Sequence, residues 1–355
     1  MTRNTPARPA PNAPPVRANL YSDTQTRPGP AMKQAMMEAE LGDEQHGDDP
    51  TIHALCDRMA ALLGKEAAVF LPSGTMCNEI AILVHCRRGD EVLAHETAHI
   101  LAAEGGAPAA LAGVSVLGLP GARGQFDVET LLGALRERRR HAPPQTLVEI
   151  EQTANLGGGS VWPLERIRAV CELAHAEGMA VHMDGARLMN AVVASGVAAR
   201  DMASGCDSVW LDFTKGLGAP LGAVLCGSAE FIDAAWLWKQ RMGGALRQGG
   251  ICAAACLYAL DHNVARLAED HANAAALAKG LAAIPGVSVE APETNLVFFD
   301  TTATGLTAAE LAGRIRRDGV QISTMGRYRG RACTHLDIGA DGIALALDAI
   351  RAAVA

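Results

Sequence analysis

Between about residue 50 and residue 226, short apolar runs alternate with stretches of helical spacing, and this alternation constrains the fold more than any other feature of the chain. EAAVFLP (66–72), DEVLAH (90–95), GVSVLGL (113–119), TLVEIE (146–151), MAVHMD (179–184), SVWLDF (208–213) and GAVLC (222–226) read as strands. Several of the segments between them repeat apolar residues at helical intervals, as in WPLERIRAVCELAHAEG (162–178). Such a pattern predicts an α/β fold with a mainly parallel sheet and helices on both faces. Ligands of open α/β sheets bind at the carboxyl ends of the strands, which is where the polar and reactive residues of this sequence gather.

The pattern changes after residue 226. A long helical region is expected over roughly 228–283. Beyond it VSVEA, TNLVFFD, VQIST and RACTHLDI read as short strands separated by the helices TAAELAGRIRRDG and ADGIALALDAIRAAVA, a smaller α+β domain. The expected organisation is a disordered N-terminal arm (1–18), an N-terminal segment (19–50) that contacts the active site and a partner subunit, a large cofactor domain (51–260) and a small C-terminal domain (261–355). The arm holds five prolines and no apolar core segment, which argues against a secretory signal.

Charge and composition narrow the function classes. With 31 Lys and Arg against 39 Asp and Glu, the net charge is −8 and there is no basic tract. Nucleic acid or an anionic membrane is therefore a poor partner. No apolar run reaches the ~18–20 residues of a membrane helix. An apolar share of 49% is enough for a sizeable core and excludes global disorder. The nine cysteines include no C-x-x-C pair, so reduced, mostly buried thiols and a cytoplasmic location are expected. Cys252 and Cys256, one helical turn apart in an apolar stretch, read as core packing.

Three segments carry chemistry. In LPSGTMCNEIAILVH (71–85) a strand runs through Ser73, Gly74 and Thr75 into an apolar helix, which offers an anion site at the helix start and reads equally as a plain N-cap. In VHMDGARL (181–188) Asp184 ends an apolar strand, where a carboxylate needs a cationic partner unless it merely caps the next helix. In SVWLDFTKGLGAPLGAVL (208–225) Lys215 follows Thr214 in a glycine-rich turn, as a Schiff-base lysine or a surface turn residue. Together they supply what pyridoxal 5'-phosphate requires: a phosphate cradle, a carboxylate for the pyridine nitrogen and, 31 residues after Asp184, an amine for the aldehyde. The order and spacing resemble the aspartate-aminotransferase-like superfamily.

HETAH (95–99) competes with this reading, because it matches the H-E-x-x-H zinc signature. That signature needs both histidines on one helix and a third ligand downstream. Here His95 closes a strand-like run and Glu104 stands at no recognised ligand spacing, so no metal is expected and His99 is left to lie over the pyridine ring.

At larger scale, LYSDTQTRPGPAM, GDEQHGDDPT, LLGKEAAVFLPSGTMCN, VHMDGARLMNAVVASG, DFTKGLGAPLGAVL and GGALRQGGICAAACLYAL resemble the L-threonine aldolase family, within the group of β-eliminating lyases and threonine aldolases, from about residue 19 to the C-terminus. The resemblance implies a homotetramer built from dimers, and retro-aldol cleavage of an L-β-hydroxy-α-amino acid to glycine and an aldehyde. By the same resemblance Lys215 and His99 are the catalytic pair. Ser73, Gly74, Thr75, His99, Asp184, Arg187, Thr214, Lys215 and Arg247 hold the cofactor, Arg247 across the subunit contact. Ser22, Arg187 and Arg331 grip the substrate carboxylate. The chain departs from the family pattern around the β-substituent: Ala154 replaces a histidine in EQTAN (151–155), LAAE (101–104) replaces an aromatic and basic run, His46 replaces a tyrosine, and Gln240 replaces a lysine flanked here by Lys239 and Arg241. His46 is a candidate for the missing imidazole. A diverged pocket keeps β-elimination or a transaldolase-like exchange as the alternative chemistry, and a non-catalytic cofactor-binding homologue as a third.

Overall fold

The computed structural model describes residues 5–6 and 14–355. The arm expected over 1–18 thus falls mostly outside the described residues. Its end is tied down: the Arg17 N–H donates to the Gly319 carbonyl at 2.7 Å, and Ala18 opens a strand.

The strands are β1 (Ala18–Leu20), β2 (Ala67–Leu71), β3 (Glu91–His95), β4 (Ser115–Leu119), β5 (Gln145–Glu151), β6 (Ala180–Gly185), β7 (Ser208–Asp212), β8 (Ala223–Gly227), β9 (Ser288–Val289), β10 (Leu296–Asp300), β11 (Val320–Thr324) and β12 (Arg329–Cys333). Seven of them form the large sheet, in the order β2-β8-β7-β6-β5-β3-β4. β8 runs antiparallel to both its neighbours, whereas β7, β6, β5, β3 and β4 pair in parallel. The cause is local. Segment 213–222 is too short to hold a crossover helix, so the chain turns straight back, and that turn carries Lys215. Parallel register sets Glu151 of β5 opposite Asp184 of β6, and Asp184 opposite Trp210 of β7. The carboxyl ends of three strands therefore come together.

The helical region after β8 is three helices, Ala229–Arg241, Gly250–His262 and Leu267–Ala282. The first is followed by Gly243 at φ 72°, a left-handed conformation that suits glycine. The expected boundary at 260/261 falls within the second helix, whose Ala253, Ala255, Cys256 and Ala259 belong to the core of the large sheet. The third helix crosses between cores: Leu267 packs in the large one, Ala274, Leu277 and Leu281 in the small one.

The small sheet has the order β1-β11-β12-β10-β9, with β1 parallel to β11 and the other pairs antiparallel. Both ends of the described chain thus build it. β1 is three residues long, too short for its buried–intermediate–buried alternation to reveal it in the sequence. It delivers Tyr21, Ser22 and Asp23 to the edge of the large sheet. β12 ends at Cys333, so the THLDI part of RACTHLDI is not strand.

Candidate active site

A cavity of about 360 Å³ opens where the carboxyl ends of β5, β6 and β7 meet the small sheet. Ser22, Ser73, Gly74, Thr75, His99, Asp184, Arg187, Thr214, Lys215 and Arg331 all line it. These are the expected site residues with one exception. Arg247 is exposed and pairs with Asp43 at 3.1 Å, away from the cavity of its own chain.

One wall is the start of helix Gly74–His85. Ser73 caps it, its Oγ accepting from the Met76 N–H at 3.3 Å. The N–H groups of Gly74 and Thr75, in the first turn, have no acceptor among the described residues. Glycine is required at 74 because a Cβ there would lie 2.1 Å from the Trp210 indole. The anion site is therefore built from bare backbone, two hydroxyls and an aromatic wall.

Lys215 faces this wall from the β7–β8 turn. Its ammonium pairs with Asp212, whose other oxygen accepts from both the N–H and the hydroxyl of Thr214 at 2.8 Å. Asp184 is fully buried between them. Its Oδ1 accepts from the Ala186 N–H at 3.0 Å and its Oδ2 from Asn78 Nδ2 at 2.9 Å. Burial raises its pKa, against the pull of His99, Asn78 and Lys215. His99 opens a short helix, and its Nδ1 donates to Glu104 Oε1 at 2.7 Å, which holds its pKa above the ordinary value.

The two arginines differ in a way the sequence does not reveal. Arg187 is neutralised within the chain: its Nε and Nη2 donate to the two oxygens of buried Asp23, each at 2.7 Å. Burial works against the charge of Asp23, but Arg187 outweighs it and leaves the carboxyl far below the usual range. Arg331 is almost as buried, yet donates only to neutral acceptors: Ser323 Oγ at 3.1 Å, Asn155 Oδ1 at 2.9 Å and the Tyr21 carbonyl at 3.3 Å. Among the described residues it is the cavity guanidinium that lacks an anion.

Neither the substitute imidazole considered above nor the side chain at the replaced histidine's position reaches the site. His46 lies in an exposed turn and does not line the cavity of its own chain. Ala154 is buried and faces Gly124, where a built Cβ would meet it at 2.6 Å. The alanine side chain thus packs inward, and its neighbour Asn155 faces the cavity. Nor does HETAH form the zinc signature. His95 ends β3, with its ring held by Thr97 Oγ1 at 2.9 Å and the Gly121 carbonyl at 3.1 Å, while the helix begins only at His99. Among the described residues, the grouping with metal-like spacing is His99, Glu104 and Asp184, whose donor atoms lie within 4.8 Å of one another. Hydrogen bonds to Asn78 and between His99 and Glu104 already close it.

Sequence reasoning missed Asp23, Asn78, Glu104 as a partner of His99, Glu151 and Asp212. Glu151 lines the cavity, accepts from the Asn155 N–H at 3.2 Å, and has its pKa pushed up to about 7 by burial and by Asp184. A usable signal existed for Asn78, a polar residue four positions beyond Gly74 in an apolar helix, and for Asp212, one turn before Lys215.

The donor set fits pyridoxal phosphate: an amine for the aldehyde, a buried carboxylate for the ring nitrogen, free N–H groups for the phosphate. Comparison with known proteins agrees. Residues 19–304 match the family model described as Beta-eliminating lyase. The chain belongs to the β-eliminating lyase family. Relatives in this family include the low specificity L-threonine aldolase of Escherichia coli K12, 39% identical over 92% of this chain and 96% of that protein. The low-specificity L-threonine aldolase 1 of Arabidopsis thaliana is also 39% identical, over 90% of this chain and 91% of its own. A solved threonine aldolase from Leishmania major superposes with a TM-score of 0.80 at 22% identity, covering 95% of this chain and all (100%) of that one. The fold is the α/β arrangement with a mainly parallel central sheet expected from the strand pattern, and it agrees with the aspartate-aminotransferase-like fold that the order and spacing of the three segments resemble.

Proposed function

We propose that this β-eliminating lyase family member is a pyridoxal phosphate-dependent aldolase that cleaves an L-threonine-like β-hydroxy-α-amino acid to glycine and an aldehyde. The observation that carries the reading is the meeting of Lys215, Asp184, the helix start at Gly74 and the anion-free Arg331 on one cavity. The 39% identity to curated L-threonine aldolases over nearly the whole chain supports the choice of substrate class.

When bound, the cofactor supplies the electron sink that a broken Cα bond requires. The residues do the rest. Lys215 is the amine that would hold the aldehyde, and its pairing with Asp212 aims it into the cavity. Asp184 holds the proton on the ring nitrogen. Ser73, Gly74 and Thr75 bind the phosphate within the chain, and Arg247 reaches the phosphate of a partner in a homotetramer. Arg331 takes the substrate carboxylate as a charge-assisted pair, with Ser22 and the remaining donors of Arg187 beside it. Fixing the carboxylate decides which Cα bond is broken. His99 and Glu151 are the cavity groups able to take the β-hydroxyl proton, a contribution typically worth ~10²–10⁴-fold. With every one of the nine cysteines free, the protein suits a reducing cytoplasm. Among the described residues no helix is long and apolar enough to cross a membrane.

The test is the visible spectrum of the purified protein with pyridoxal phosphate, before and after glycine, followed by product analysis with L-threonine. An absorption band that moves to long wavelength with glycine, and release of aldehyde plus glycine, are expected; Lys215→Ala should bind the cofactor without turning over. A keto acid and ammonia would instead make the protein a β-eliminating enzyme. A chromophore without turnover of any β-hydroxy amino acid would make it a binding homologue. No chromophore would remove the reading altogether.

A further inference from the structure

Asn78 lies in the middle of helix Gly74–His85 and is wholly buried. It uses its entire hydrogen-bonding capacity. Nδ2 donates to Glu104 Oε1 at 2.8 Å and to Asp184 Oδ2 at 2.9 Å. Oδ1 accepts from Trp210 Nε1 at 2.6 Å and from His182 Nε2 at 3.1 Å. The amide orientation is forced, because an indole N–H only donates and must face the amide oxygen, which turns the NH₂ toward the two carboxyls.

The same logic fixes the next groups. His182 Nε2 faces an acceptor and carries the proton, so its Nδ1, 2.8 Å from Ser208 Oγ, accepts from the hydroxyl. Ser208 Oγ in turn accepts from His85 Nε2 at 2.8 Å. Burial keeps both imidazoles neutral, with pKa values lowered to about 3 for His182 and about 4 for His85. Every donor in the series points one way, from His85 toward Asp184. On the far side Glu104 Oε1 accepts from His99 Nδ1 as well as from Asn78.

We propose that Asn78 is a positioning residue of the site: one amide locks the Asp184 carboxylate and, through Glu104, the His99 ring, so the two groups that meet the cofactor ring are set by a single side chain. The proposal rests on the pyridoxal phosphate reading above. A buried amide that served only to fill space would be costlier than an apolar residue, whereas four bonds to β6 (Asp184 and His182), β7 (Trp210) and Glu104 define an orientation. His182, Ser208 and His85 hold the amide from behind.

The test uses the holoprotein and two isosteric changes, Asn78→Asp and Glu104→Gln. Pyridoxal phosphate affinity is read by quenching of tryptophan fluorescence, and the pH at which the bound-cofactor absorption band changes is read between roughly pH 5.5 and 9. Asn78→Asp replaces a donor with a third acid against Asp184 and Glu104, so affinity should fall about tenfold or more, and fall further as pH rises, while the parent stays flat. Glu104→Gln keeps its shape but removes the charge that His99 and Asn78 share, and should move the band midpoint by about one pH unit. If Asn78→Asp does not fold, Glu104→Gln decides alone. Affinities within about twofold of the parent, with unmoved midpoints, overturn the proposal. A parent that binds no pyridoxal phosphate overturns the reading beneath it instead.

Discussion

Arg331 and Arg187 reach one cavity, and substitution should separate what each does. Arg331 has three neutral partners and no carboxylate. Replacing it with Met removes a buried charge and strands only a hydroxyl, an amide oxygen and a backbone carbonyl. The folded state should lose little, about 1–2 kcal/mol for acceptors left unpaired. The substrate should lose much more. Hydrogen bonds to charged groups contribute about 1.5–3 kcal/mol each, so two to a carboxylate are worth about 3–4 kcal/mol after allowance for non-additivity. At 1.4 kcal/mol per factor of ten, kcat/KM should drop ~10²–10³-fold. Asp23→Ala should do the reverse. It leaves the Arg187 guanidinium, 4% exposed, without its counter-ion, and breaking a buried pair from one side costs about 3–5 kcal/mol. Thermal unfolding followed by fluorescence, with aldehyde release from L-threonine at saturating cofactor, reads both. The expected result is a large kinetic defect with a small Tm change for Arg331→Met, and a Tm drop of ~10 °C for Asp23→Ala, at roughly 2–4 °C per kcal/mol. If Arg331→Met retains kcat/KM within threefold, or melts as early as Asp23→Ala, the distinction drawn from their partners is wrong.

Three further outcomes are expected. Ala154→His, which puts back the histidine of the family pattern, should lower Tm, because the Ala154 side chain packs against Gly124 with no free space and overpacking costs about 1–3 kcal/mol; unchanged stability with improved threonine cleavage would refute this. If Glu151 acts as a base it must be ionised, so kcat/KM should rise with pH through about 7 and Glu151→Gln should flatten that limb; a parent-like profile in the variant would assign the limb elsewhere. Glu79 is buried beside Glu104 and its pKa is raised to about 8 by burial and then by that neighbour. Its neutral form fits the fold, so the stability it contributes is present below its ordinary value of 4.5 and is lost as pH rises through 8. Urea unfolding of Glu79→Gln should therefore show an advantage over the parent that grows from pH 6 to pH 9, and a constant difference would exclude the titration.

The large sheet was legible because its inner strands are buried on both faces and so read as continuous apolar runs. Lys215, Asp184 and Ser73–Thr75 were legible for a related reason: each is a polar break at the end of such a run. What sequence could not show was pairing across long separations. Asp23 and Arg187 are 164 residues apart and Asn78 and Asp184 are 106 apart, and local periodicity carries no trace of such partners. Both arginines were read as needing an outside anion, and for Arg187 the anion was already in the chain, delivered by a three-residue strand too short to announce itself. Ala154 misled for the opposite reason. Position in a motif suggested a cavity residue, whereas the backbone turns that side chain into the core and presents Asn155.

The buried charge around the cavity gives the cofactor reading a second, independent footing. Glu79, Glu104, Glu149, Glu151 and Asp184 are all at or below 8% exposure in one region. No oxygen of Glu79 or Glu149 has a partner among the described residues. Burial, with neighbouring acids adding to it, drives the pKa of Glu149 well above the ordinary range and that of Glu151 to about 7. Against these stand His99 and Arg331, since Lys215 is paired with Asp212 and Arg187 is spent on Asp23. Such a region tolerates ionised carboxyls only if it holds protons or gains cations. A ring nitrogen that keeps its proton beside Asp184 is a cation delivered to the place where the chain is short of one. The excess of acid is then a reason for that nitrogen to remain protonated, which is the state an electron sink needs, and the loss of Asp184 should weaken the hold on the proton more than it weakens the fold.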